Sequence, residues 1–135
     1  MPQPLTPQEE STIRAFIVKE RRDRWLDLLR NPRRRRTITA ELAHPNLAWF
    51  DSRFVQAIPP NQRNASGIGT LLRAKGAKNQ CWAISEDGTL DGKELVLASA
   101  LSSIVGSGMG TILCCVPGKL AFVESEDGRF ILEKP

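Results

Sequence analysis

The chain carries one histidine and three cysteines in 135 residues, and these two shortages remove several chemistries. Zinc held by protein side chains takes four thiolate or imidazole ligands, often in C-x-x-C spacing, and no such spacing occurs. Cys114 and Cys115 are adjacent, so in a strand they point to opposite faces and are poorly placed to bridge each other. At most one disulfide can form, and one thiol is left over. All three cysteines, Cys81 included, sit in apolar strand-like runs, where reduced cysteine behaves as a small hydrophobe. The longest apolar runs, such as Ile112 to Pro117, are strand-sized and too short to span a bilayer. Met1-Pro2-Gln3-Pro4 lacks the positive n-region and apolar core of a signal peptide. The expectation is a cytoplasmic protein with no membrane, metal or cofactor among its partners.

What is present fits one ordinary folded unit. A chain of this length supports one hydrophobic core, and folding buries roughly two-thirds of its unfolded surface. Apolar residues make up 41% and charged residues 25%, the proportions of a globular protein rather than a disordered one. Net charge is +4, and its placement is uneven. Residues 1 to 53 hold 11 Arg or Lys against 7 Asp or Glu, whereas residues 54 to 135 hold 8 of each. Lys19 to Arg36 alone carries 9 cations and 3 anions. The excess therefore belongs to the N-terminal segment.

Local signals divide the chain. Thr6-Pro7-Gln8-Glu9 reads as a capping box with proline at the first helical position. It opens a helix expected to run from Pro7 to Arg30, where Asn31-Pro32 interrupts it. Ile13, Ile17, Leu28, Trp25, Val18 and Leu29 share one broad arc of that helix, into which Arg14, Arg21 and Arg24 intrude. A second helix is expected from Pro32 to Ala43, capped by Asn31, with Ile38 and Leu42 inward and Arg33 to Arg36 in its first turn. Leu47 to Ile58 has no period and reads as a packed connector, and Pro59-Pro60-Asn61 is the best internal boundary.

Beyond it, Ser66 is expected to cap a helix from Gly67 to Lys75 that Gly76 closes. Strands follow at Gln80 to Ser85 and Lys93 to Val96. The i, i+3, i+4, i+7, i+8 spacing of Leu97, Ala100, Leu101, Ile104 and Val105 then predicts a helix. Thr111 to Val116, Leu120 to Glu124 and Arg129 to Leu132 form a meander turning at Pro117-Gly118 and Asp127-Gly128. Ser-Glu-Asp-Gly occurs twice, at residues 85–88 and 125–128, as a repeated turn solution. The order predicts a single α+β domain over residues 1–135. Residues 1–58 form a basic helical arm and aromatic connector, and residues 62–135 the α+β core. The whole order, N-terminal helices followed by a small sheet, is expected to give an antiparallel or mixed sheet of about four or five strands covered by helices on one face.

Several constellations bear on chemistry. Gly106-Ser107-Gly108-Met109-Gly110-Thr111 resembles a phosphate loop only superficially, because it follows a helix, precedes a strand and has no lysine. Glu86, Asp87, Asp91 and Glu94 lack EF-hand spacing and read as hairpin chemistry. His44 is the sole imidazole, so any histidine-dependent mechanism, including a Cys-His pair with Cys81, Cys114 or Cys115, must use it. The strongest feature is cationic. Arg33, Arg34, Arg35 and Arg36, with Arg21, Arg22 and Arg24 before them, offer guanidinium forks that match phosphate or carboxylate. The aromatic interleaving of a single-strand platform is missing, since Trp25 is the one aromatic nearby. Trp25, Trp49 and Phe50 form a candidate partner patch, or else close the groove between arm and sheet.

The expected function is a non-enzymatic binding or regulatory protein contacting an anionic partner, nucleic acid or an acidic protein surface, through the arginine-rich segment. The alternative is a small inhibitor or immunity-type protein using the aromatic patch, and a cysteine-dependent enzyme is a remote third reading. If the first helix projects from the core, its apolar stripe would form a homodimer.

Overall fold

Residues 5–135 are described by a computed structural model; the opening Met-Pro-Gln-Pro, read above as unlike a signal peptide, lies outside the described residues. Thr6 starts the first helix, α1 (Pro7–Phe16), its Oγ1 accepting the Glu9 amide at 3.2 Å. The expected continuous helix to Arg30 is in fact two, because Ile17 and Val18 are extended and α2 spans Lys19–Arg30. Ile17 makes a β-bridge to Phe50, the Val18 amide donates to the Trp49 carbonyl at 2.8 Å, and the Asp51 amide donates to the Phe16 carbonyl at 2.8 Å. Two successive β-branched residues favour extended backbone. The connector supplies the hydrogen bonds that the helix gives up there.

Asn31 does begin the next segment. Its Oδ1 accepts the Arg33 amide at 3.0 Å and its carbonyl accepts the Arg34 and Arg35 amides at 3.0 and 2.8 Å. Residues 32–34 form a turn, however, and the regular helix α3 is the shorter Arg35–Glu41. The connector folds into two 3-10 turns, Leu47–Trp49 and Ser52–Phe54, initiated by the Asn46 and Asp51 side chains. It ends in a two-residue strand, β1 (Val55–Gln56). Helix α4 (Ala65–Ala74) is capped by Asn64, not Ser66: Asn64 Oδ1 accepts the Gly67 amide at 2.7 Å.

The second half follows the periodicity closely, with β2 (Gln80–Ser85), β3 (Lys93–Val96), α5 (Leu97–Ile104), β4 (Thr111–Val116), β5 (Leu120–Ser125) and β6 (Gly128–Glu133). All pairings are antiparallel, in the order β1-β6-β5-β4-β2-β3. The fold class is α+β, with six strands rather than four or five. Alternate residues of β4 enter different cores. Ile112 and Cys114 face α1, α2 and α3, while Leu113 and Cys115 face α4 and α5. Helices α4 and α5 therefore share one face and the N-terminal arm docks on the other, so helices cover both faces where the order suggested one. A sheet covered on both faces reads as unbroken apolar runs, which is why β4 and β5 lack a polar face. No helix among the described residues is long and apolar enough to cross a membrane.

Docking of the arm settles where its apolar stripe goes. Ile13, Phe16, Trp25, Leu26, Leu29, Ile38 and Leu42 are all buried against the sheet. Phe16 and Leu26 had escaped the single-helix wheel because the break at Ile17 resets the angular phase. A homodimer through the first helix has no exposed stripe to use.

Candidate anion-binding surface

The corner between α2 and α3 holds the arginine run, and its four members do not behave alike. Arg33, Arg34 and Arg36 are exposed. Among the described residues, none of their guanidinium groups has an ion-pair or hydrogen-bond partner. Arg35 is the exception and corrects the expectation that all four meet a partner. Its side chain is only 15% exposed. Its Nε donates to Asp91 Oδ2 at 2.6 Å and Nη2 to Asp91 Oδ1 at 3.0 Å. Nη1 and Nη2 also donate to the two oxygens of Glu9, at 3.0 and 2.5 Å. Burial alone would lower the pKa of this guanidinium, but the hydrogen bonds to Glu9 and Asp91 more than offset it and the net shift is upward. Arg35 is thus permanently charged and internally spent.

The clamp draws on the whole fold. Glu9, 3% exposed, comes from α1 and also accepts the Trp82 indole N–H at 2.7 Å. Asp91 comes from the turn between β2 and β3 and also accepts the Ser85 amide at 2.9 Å. Only half of the expected capping box forms, since the Glu9 carboxylate turns inward to Arg35 and Trp82. Glu9, Trp82 and Asp91 were missed as partners of the basic segment. A signal existed for Arg35 itself: it lies at i, i+3, i+7 with Ile38 and Leu42, on the inward face of α3.

The cations of α2 have other tasks. Arg21 stacks over the Trp49 ring at 5.1 Å, and Arg22 donates through Nε and Nη2 to the Ile17 carbonyl at 3.3 and 3.2 Å. Arg22 therefore satisfies a carbonyl left over where α1 ends. Arg24 reaches Glu41 and Arg30 reaches Asp27, each at 3.7 Å across half-exposed surface, pairs that hold weakly in water. The exposed, unpaired guanidinium groups of this corner are therefore those of Arg33, Arg34 and Arg36. Arg36 and Glu86 both line a groove of about 360 Å³ between α3 and the β2–β3 turn.

Trp25 and Phe50 are a seal, which corrects their candidacy as a partner surface, while Trp49 stays half-buried under Arg21. Trp25 is fully buried and Phe50 is 2% exposed. Trp25 packs edge-to-face on Trp49 and Phe50, and Phe50 on Phe130 of β6 at 5.2 Å. These rings join the arm and connector to the sheet.

The remaining constellations serve the fold. The glycine loop after α5 directs its amides inward: Gly106 and Gly108 donate to Glu124 Oε2, each at 3.1 Å, and Gly110 donates to Glu86 Oε1 at 2.6 Å. Glu124 is fully buried and also accepts Arg129 Nε at 2.7 Å. Such amides cannot cradle a phosphate. Both Ser-Glu-Asp-Gly turns use one device, the serine Oγ accepting the aspartate amide at 3.0 Å in the first and 3.2 Å in the second. His44 contacts Glu126 and Asp127, not a cysteine. Burial pushes the Cys81 and Cys114 thiols up to about 12 and Cys115 well above its ordinary value, the environment of a structural rather than a reactive cysteine. Among the described residues, no group of three or more His, Cys, Asp or Glu is placed to hold a metal ion.

Comparison with protein-family models, curated proteins and solved structures finds no match. The functional reading therefore rests on the geometry of the basic corner.

Proposed function

We propose that the chain is a non-enzymatic binding protein whose α2–α3 corner contacts an anionic macromolecule, a nucleic acid or an acidic protein surface, in the cytoplasm. The observation that supports this is the exposure of Arg33, Arg34 and Arg36 without an intrachain carboxylate, beside an Arg35 that is fully engaged. Three free cations in one turn, at the positive end of a helix dipole, repel one another and cost stability. An anionic partner converts that cost into binding, and the planar guanidinium suits bidentate contact with phosphate or carboxylate. The three thiols, buried and unbridged, fit a reducing compartment.

The structure of the run sets the size of the effect. With Arg35 withdrawn, about three phosphates are neutralised, which gives a slope of log affinity against log salt near −2.7. The test is fluorescence anisotropy with a labelled DNA duplex and with labelled polyglutamate across a salt series. The parent chain should bind at least one of them, with that slope if it is the duplex, and the Arg33→Ser, Arg34→Ser, Arg36→Ser triple variant should lose it. Equal binding by the triple variant, or no binding of either polyanion at low salt, would overturn the proposal.

A further inference from the structure

We infer that Arg35 is the positioning residue of the basic corner, holding the three exposed arginines in one preformed array for a partner; this inference rests on the binding role proposed above. The segment needs such a device. Helix α3 has seven residues, its N-cap is Arg34 with no side-chain cap, and its first turn contains no acidic residue. Seven residues are too few for a helix to persist alone in water, and cations at its start oppose its dipole. Ile38 and Leu42 anchor the far end of α3 in the core. At the near end Asn31 shapes the turn through the Arg33, Arg34 and Arg35 amides, and Arg35 is the side chain that ties that turn to α1 and to the β2–β3 turn.

That anchor is built from three directions. Arg35 donates to Glu9 of α1, to Asp91 of the β2–β3 turn and to the Leu29 carbonyl of α2, the last at 3.4 Å. Both carboxylates are themselves fixed, Glu9 by Trp82 and Asp91 by the Ser85 amide. Arg34 and Arg36 are its immediate neighbours in the chain, so orienting Arg35 orients the backbone from which they project. A binding surface ordered before contact loses less conformational freedom on association than one ordered by contact. The clamp therefore contributes to affinity although Arg35 touches no partner.

Charge and position make opposite forecasts, and this makes the inference testable. Asp91→Asn removes one anion near the corner, so counting charge alone forecasts tighter binding of a polyanion. Loss of the clamp forecasts weaker binding. The experiment measures anisotropy with whichever of the two labelled polyanions the parent binds more tightly. It compares Asp91→Asn, Arg35→Lys and Trp82→Phe, with circular dichroism melting to establish that each is folded at the assay temperature. Asp91→Asn and Arg35→Lys should each bind about fivefold more weakly, the scale of ordering about one rotamer-rich side chain. Trp82→Phe frees Glu9 without altering any charge and should also weaken binding, which keeps the inference testable if either of the other variants fails to fold. Affinity equal to or above the parent in the folded variants overturns the positioning role while leaving the binding role intact. Retained binding by the Arg33, Arg34, Arg36 triple variant overturns the binding role itself.

Discussion

Four consecutive arginines should respond to alanine substitution in two sharply different ways. Arg35→Ala removes the counter-ion of Glu9, which is 3% exposed and would keep only the Trp82 indole as a side-chain donor, and it strips Asp91 of two hydrogen bonds. Breaking one side of a buried ion pair costs about 3–5 kcal/mol, because the remaining charge is left without compensation. The partial exposure of Arg35 and Asp91, 15% and 19%, places the expected loss at the lower end of that range, about 3 kcal/mol. Arg33→Ala, Arg34→Ala and Arg36→Ala remove exposed side chains and should change stability by no more than about 0.5 kcal/mol each. Relief of like-charge repulsion makes small gains the expected sign. Urea unfolding followed by tryptophan fluorescence is the assay. With a slope near 2 kcal/mol per molar urea, typical of this size, Arg35→Ala should lower the midpoint by about 1.5 M while its neighbours move it by less than about 0.3 M. A midpoint for Arg35→Ala within that narrow band would refute the clamp, and with it the division of the run into one structural and three free cations.

Three further outcomes follow from other parts of the fold. His44 has its pKa raised by its hydrogen bond to Asp127 and by the charges of Glu126 and Asp127. Its stabilising contribution should therefore be complete below the unfolded histidine value of about 6.5 and disappear as pH rises through the higher folded value. Thermal melts should show a fall in Tm over that interval that is smaller in His44→Gln; an unchanged fall would show the contact to be inert. The three thiols should resist iodoacetamide at neutral pH in the native state and react together in denaturing urea, and native labelling at any of them would contradict their burial. Gly110→Ala would drive a methyl group into the Leu42–Ala43 peptide, backbone that cannot swing aside as a side chain can. That overlap should cost about 3 kcal/mol or more. Gly88→Ala, which meets nothing within 4 Å, should remain within about 0.5 kcal/mol of the parent. Near-equal urea midpoints for these two glycine variants would refute the packing of α3 against the glycine loop.

Much of the second half was readable because each element there states its own period. The i, i+3, i+4 spacing from Leu97 and the Pro117-Gly118 and Asp127-Gly128 turns leave little choice of register. The first half was less readable because its decisive interactions are distant in the chain. Nothing between Pro7 and Arg30 breaks a helix by propensity. The β-branched pair Ile17-Val18 leans weakly toward extended backbone, and the connector decides it, through Trp49 on Val18, Phe50 on Ile17 and Asp51 on Phe16. In the same way, Arg35 differs from Arg34 through Glu9, 26 residues before it, and Asp91, 56 residues after it. The inward phase that Arg35 shares with Ile38 was present in the sequence, but a charged residue on an apolar face acquires meaning only with its counter-ions. The aromatic cluster was ambiguous for a related reason: Phe50 reads as surface or core according to whether Phe130 lies beneath it.

The sheet also fixes an order of events at the ribosome. The face that receives α1, α2 and α3 includes Phe130 and Leu132 of β6, and β6 is the strand that β1 pairs with. Synthesis runs from the N-terminus, so the arm emerges well before its seat exists. Trp25, Leu29 and Phe50 can touch their neighbours in the arm but lack this face of the sheet until some eighty residues beyond Phe50 are made. During that interval the arm is an amphipathic, strongly basic segment without a home, the kind of nascent chain that holding chaperones retain. Truncation within β6 should trap the protein in that state.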